Sequence, residues 1–273
     1  MTPPDLPPSP LEEQVRQRLL SALRPIAPAT TALVVLVVLI HAGVGLDDWL
    51  RGRALPDGQL AGLYDVVFGD RSVVGLRRWG ANDLEAVGQG ALWRLPASIF
   101  LHASALHLAL NGLALFGLGR LSEAIWGRTR YLVLFLAAGT GGAALSWLGR
   151  AAAGADPDVA NLSVGASGAI FGLMGAGVVF GRRFRRQLPG PARDLFWRGL
   201  VPWIALNLFI GVTMPRIDNL GHLGGLAVGA LGALVLGSPV IPGAEGRRGI
   251  TTLLAFLCAA LLGWTAGSVV LGG

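Results

Sequence analysis

An all-α protein that crosses a lipid bilayer several times is the fold class the sequence predicts, and three observations predict it. Hydrophobic residues make up 53% of the chain and charged residues only 14%, with a mean hydropathy of +0.60, whereas a soluble domain is typically about a quarter charged. Apolar runs of about 17–25 residues recur, the length a helix needs to cross roughly 30 Å of hydrocarbon. The basic residues are all arginine and sit mostly between those runs, as in loops that face lipid headgroups and cytoplasm. That placement argues against nucleic acid as the partner of the +6 net charge. The single cysteine, Cys258, allows no intrachain disulfide.

In chain order, Met1 to Arg24 lacks the short basic start of a secretory signal. No small-residue cleavage site follows the first apolar run, so 28–46 reads as a retained span. The loop from Asp47 to Pro96 is too long for a turn, and it is expected to fold partly on the membrane surface with Trp79 and Trp93 at the interface. Further spans are expected near 98–119, 131–149, 163–180, 197–213, 219–238 and 250–271. The fourth, fifth and sixth are short or broken by glycine and polar residues, but each is bounded by charge or proline. No repeat and no second domain emerges. A short cytoplasmic segment, 1–27, and one transmembrane domain, 28–271, are the expected organisation.

Arginine placement sets the orientation. Arg16, Arg18 and Arg24, then Arg120, Arg128 and Arg130, then the run from Arg182 to Arg198 fall on one side if seven spans alternate. The opposite loops balance arginine with acid: Arg150 with Asp156 and Asp158, Arg216 with Asp218, and Arg53 with Asp57 in the long first loop. The positive-inside rule then puts the N-terminus in the cytoplasm and the C-terminus outside.

Polar side chains inside spans are costly and mark functional sites. Three clusters stand out: His102, His107 and Asn111 in the second span, Gly165-Ala-Ser167-Gly168 in the fourth, and Asn219 to Gly225 with His222 in the sixth. All fall in the first half of an even-numbered span, hence at similar depth near the outer face. His107 and Asn111, four residues apart, share a helix face. Ser167 and His222 can form a nucleophile–base pair for acyl transfer. The Asn111 amide, the His107 ring and backbone N–H groups at the start of the fourth helix can receive an oxyanion. For the pair to meet, two helices must touch. Gly221, Gly225, Gly229, Ala233 and Gly237 recur every four residues opposite Gly168, Gly172 and Ala176, the small-residue spacing that lets backbones approach in lipid.

At these residues the chain resembles the rhomboid family of intramembrane serine proteases. The resemblance rests on His102, His107 and Asn111, on Gly165-Ala-Ser167-Gly168, and on His222 with its glycine stripe. It extends to Trp93-Arg94 and to Glu123, and covers about 93–238. It implies a rhomboid-like six-helix bundle core with Ser167 as nucleophile, His222 as general base and His107 with Asn111 lining the oxyanion hole. The span at 250–271 is then an additional seventh helix. Phe171 stands where the family often has tyrosine; it can stack on the histidine but offers no hydroxyl.

Plainer roles are expected for other residues. His102 is expected to hold the first loop through hydrogen bonds, Arg94 and Glu123 to act as anchors, and His41 to be interfacial or helix-contacting. The sequon Asn161-Leu-Ser163 is discounted for want of a glycosylating compartment. A metal site of His102, His107 and His222 lacks a nearby carboxylate, and a transporter would need an inverted repeat or an intramembrane acid. A client-binding escort protein of the same fold would be expected to lack Ser167 or His222, and both are present. The expected activity is endoproteolysis of transmembrane protein substrates in lipid, with no cofactor and no metal. The arginine-only, Gly- and Ala-rich composition and the lack of an organelle-targeting segment point to a bacterial plasma membrane, and the sequence carries no signal of oligomeric state.

Overall fold

The computed structural model describes residues 9–22, 27–52, 62–155, 162–214, 217–244, 246 and 248–271. Arg24, Arg53, Asp57, Asp156, Asp158, Asn161 and Arg216, named above, lie outside them.

The chain begins with α1, Pro10–Ala22, then α2, Pro28–Leu50, with proline in its first turn, where the missing N–H costs nothing. The first loop contains α3 (Leu63–Phe68), α4 (Val73–Arg78), the two-residue strand β1 (Asn82–Asp83), α5 (Leu84–Gly88) and α6 (Arg94–Ser98). Helical residues continue from Ala105 to Ala152, α7, but Gly127 interrupts them with φ 72°. Gly119 and Tyr131 lie in contact across this break, although twelve residues of straight helix would separate them by about 18 Å. The chain therefore folds back at Gly127, and 105–126 and 128–152 are two antiparallel helices. β2, Leu162–Ser163, pairs antiparallel with β1 and leads into α8, Ser167–Arg183. Next come α9, Gly190–Asp194, a π-helical turn at Leu195–Gly199, and α10, Leu200–Thr213, together one helical rod. α11, Asn219–Leu236, and α12, Arg248–Leu271, complete the fold.

Among the described residues five helical stretches are long and apolar enough to cross a membrane: Pro28–Leu50, Ala105–Ala152, which holds the two antiparallel helices joined at Gly127, Gly190–Thr213, Asn219–Leu236 and Gly249–Leu271. α8, at 17 residues, is shorter and enclosed by its neighbours. Leu39, Leu113, Phe209, Val212, Leu231 and Phe256 lie exposed on outer faces, which suits hydrocarbon as solvent. The protein is an all-α, multi-pass integral membrane protein.

Glycine positions the centre of the bundle. A Cβ on Gly225 would overlap the Gly168 carbonyl, and one on Gly229 would overlap that of Gly172, so α8 and α11 run parallel with backbones in contact, as small residues permit. The second half of α7 crosses both in the opposite sense: Gly142 meets Gly168 and Gly221, and Ala138 meets Gly172. Consequently 105–126, α8 and α11 all start at the same end of the bundle. At the other end Glu123 accepts from the backbone N–H groups of Ala29 (3.2 Å) and Thr30 (2.8 Å) and from the Thr30 hydroxyl (2.9 Å). It thereby caps α2, which has no side-chain cap of its own.

Several boundaries differ from expectation. The second span starts at Ala105, not near 98, because Ser104 accepts from the His107 N–H at 3.2 Å as N-cap, so His102 precedes the helix. The fourth starts at Ser167, because Gly165 has φ +126°, a region L-residues rarely enter. The fifth starts earlier, at Gly190. Gly237, φ +62°, terminates α11 and does not extend its stripe. Trp93 is buried, its ring and Ala97 packed on Gly80, instead of lying at an interface.

Candidate active site

Ser167 opens α8, and His222 lies in the first turn of α11. Because these helices are parallel and in register, the two side chains face each other: His222 Nε2 is 2.9 Å from Ser167 Oγ. His222 is buried, and Phe171, one turn after the serine, lies flat on its ring with centroids 4.2 Å apart and planes 6° apart. His222 Nδ1 has no hydrogen-bond partner among the described residues, so none of the described carboxylates is aligned behind the imidazole.

The His107 ring lies beside Gly165, where an added Cβ would stand 2.8 Å from its Cε1 and Nε2; that glycine therefore makes room for the histidine as well as shaping the turn before Ser167. Buried Asn111 donates from Nδ2 to the His107 carbonyl at 3.0 Å. The backbone N–H groups at the start of α8, Ser167 and Gly168 among them, have no intrahelical acceptor. A cavity of about 30 Å³ opens beside Ser167, enough for a water molecule.

The remaining residues singled out in the sequence surround this centre. His102 is buried with its ring 5.1 Å from that of His107, edge to face. Its carbonyl accepts from His41 Nδ1 at 3.2 Å, so His41 has a partner that sequence reasoning did not assign. Arg94 stacks on Trp93 at 4.8 Å and donates to the Arg77 carbonyl at 2.5 Å; burial lowers its pKa. Gly168 and Gly225 form the α8–α11 contact, and Glu123 sits at the far end of the bundle. His102, His107 and His222 do not converge: among the described residues no three His, Cys, Asp or Glu side chains are placed to hold a metal ion.

Sequence reasoning missed Asp218 and Ser163. Asp218 caps α11 through Oδ1, 2.8 Å from the Gly221 N–H, and its Oδ2 accepts from the Ser163 hydroxyl at 2.6 Å. The cap was legible, since aspartate directly before an apolar run is a helix-start signal; its long-range partner was not.

Residues 89–239 match the Rhomboid domain, more than half of the chain. The protein belongs to the rhomboid family. It is 34% identical to rhomboid protease GluP of Bacillus subtilis strain 168 over 197 residues, 72% of this chain and 36% of that protein. Rhomboid protease AarA of Providencia stuartii is 33% identical over 185 residues, 62% of this chain and 66% of the relative. RHOMBOID-like protein 5 of Arabidopsis thaliana is 34% identical over 165 residues, 60% of this chain and 50% of the relative. This rhomboid thus spans about a third to two thirds of the length of these curated relatives.

Proposed function

We propose that this rhomboid is an intramembrane serine endopeptidase that cleaves transmembrane segments of other membrane proteins through Ser167 and His222. The observation that carries the reading is the 2.9 Å contact between Ser167 Oγ and His222 Nε2, within the range a general base needs. In this reading the Ser167 proton passes to Nε2 as Oγ bonds to the scissile carbonyl carbon. The carbonyl oxygen takes up the charge facing His107, Asn111 and the α8 N-terminus. Asn111 serves it by giving up its bond to the His107 carbonyl. The C–N bond then breaks, His222 returns its proton to the leaving amine, and water repeats the sequence on the acyl-enzyme. Each oxyanion donor contributes roughly 10²- to 10³-fold. Phe171 holds the imidazole in plane. Neither half-reaction draws on a cofactor.

Seven passes, with the N-terminal segment 1–27 cytoplasmic and the site opening to the outside of a bacterial plasma membrane, complete the proposal. It is supported by the arginine distribution, the alternating helix directions and the two bacterial relatives named as proteases. The core is 93–238 within a domain of 28–271, and 250–271 is the added helix.

The test is cleavage of a single-span substrate in liposomes by wild type, Ser167→Ala and His222→Ala, with a chelator run in parallel. Cleavage by wild type alone, unaffected by the chelator, is expected. Cleavage that persists in either folded variant overturns the mechanism, and client binding by a wild type that cuts nothing points to an escort protein instead.

A further inference from the structure

The Ser167–His222 contact joins residues 55 positions apart, and a second contact of the same span lies four residues before it on both strands of chain. Ser163 Oγ donates to Asp218 Oδ2 at 2.6 Å. Ser163 precedes Ser167 by four residues and Asp218 precedes His222 by four. Both ends are themselves fixed. Ser163 pairs with Asn82 in the β1–β2 ladder, and Asn82 Nδ2 donates to the Ala143 carbonyl at 2.8 Å. Asp218 holds the first turn of α11, its Oδ1 accepting from Gly221 at 2.8 Å and its carbonyl accepting from the His222 N–H at 3.0 Å. Ser163, Asp218, Ser167 and Gly221 line the same small cavity.

From this geometry we infer that Ser163 and Asp218 are positioning residues: their hydrogen bond is a clasp that sets the separation of Ser167 and His222. The inference rests on the protease reading above. The glycine seam fixes how closely α8 and α11 approach but does not itself set the turn before Ser167, which is held on its other side by the Gly165 N–H donating to the Ser98 carbonyl at 3.0 Å. The clasp holds that turn from the carboxylate side, while the ladder holds it from the first loop. Asp218 acts here through both oxygens, one on each partner, so an amide in its place can keep both bonds while a methyl group keeps neither.

The clearest variant is Ser163→Ala, which deletes the clasp and leaves the α11 cap in place. In liposomes with a single-span substrate, kcat is expected to fall about 10- to 100-fold, the range that small misplacement of reacting groups produces, with KM and the melting temperature close to wild type. Ser163→Thr, which keeps the hydroxyl, is expected to restore kcat, and Asp218→Asn to retain most of it. Asp218→Ala combined with Ser163→Ala should lose no more kcat than Asp218→Ala alone. A second readout does not depend on turnover: the ¹⁵N resonance of His222 Nε2 in histidine-labelled protein is expected to shift in Ser163→Ala towards its position in Ser167→Ala. A wild-type kcat and an unshifted resonance in Ser163→Ala overturn the clasp. So does loss of kcat in Asp218→Asn with none in Ser163→Ala, which assigns the effect to charge. If wild type cuts nothing, the protease reading fails, and the resonance alone decides the clasp.

Discussion

Gly225→Ala adds one methyl group to the seam on which the site depends. Its Cβ would stand 2.7 Å from the Gly168 carbonyl carbon and 3.1 Å from Gly168 Cα, and closer still to the carbonyl oxygen. All three are backbone atoms of the residue after Ser167, so no side chain can swing aside. Carbon atoms rest about 3.5–4.0 Å apart, so the helices must part by about 1 Å. His222 lies one turn from Gly225 on the same seam. Its 2.9 Å contact with Ser167 then stretches to roughly 3.9 Å, beyond hydrogen-bond reach. A misplacement of that size costs about 100-fold in rate, and overpacking lowers stability by about 1–3 kcal/mol. The assay is kcat and KM for a single-span substrate in liposomes, with thermal unfolding of the same preparations. Gly117→Ala is the control: it adds the same methyl group to α7 where nothing lies within 4 Å, and its kcat should match wild type. A Gly225→Ala protein with wild-type kcat and melting temperature would show that the Gly168–Gly225 contact does not set the separation of Ser167 and His222.

Phe171→Leu removes the ring stacked on His222; a pair worth about 0.5–1.5 kcal/mol translates to roughly a two- to tenfold lower kcat, and Phe171→Tyr should keep the rate. Gly165→Ala places a methyl group 2.8 Å from the His107 ring at φ +126°, and single-turnover cleavage should slow by at least about fivefold, given typical strain of about 1–3 kcal/mol. Glu123→Ala leaves the first N–H groups of α2 uncapped; the melting temperature should drop, by the equivalent of about 1–3 kcal/mol, while kcat per folded molecule stays near wild type.

The helices were legible where composition alone decides them. The apolar runs and the arginines between them locate the rods, and the polar clusters at the starts of alternate spans single out the residues that the structure brings together as Ser167 and His222. The glycine stripe anticipated the α8–α11 contact because four-residue spacing is a property of one helix. Contacts between residues distant in sequence were legible only where a motif marked both ends, as at Ser167 and His222; those without such a mark were not. Glu123 caps a helix that starts 95 residues earlier, Ser163 and Asp218 meet across 55 residues, and the buried Trp93 ring packs on Gly80, thirteen residues earlier. Local signals at Ser104 and Gly165 moved two helix starts inward by several residues, where hydropathy had extended both spans. The loops thereby hold His102 and the turn before Ser167, the parts of the site least bound by helical geometry.

The most direct test of the central claim is covalent labelling of the folded protein in detergent with a fluorophosphonate, located by peptide mass spectrometry and timed in wild type and variants. A single adduct on Ser167 is expected, absent in Ser167→Ala and formed far more slowly in His222→Ala, since the hydroxyl is a weak nucleophile without its base. An adduct on another residue, or labelling of Ser167 at the same rate without His222, would contradict that claim.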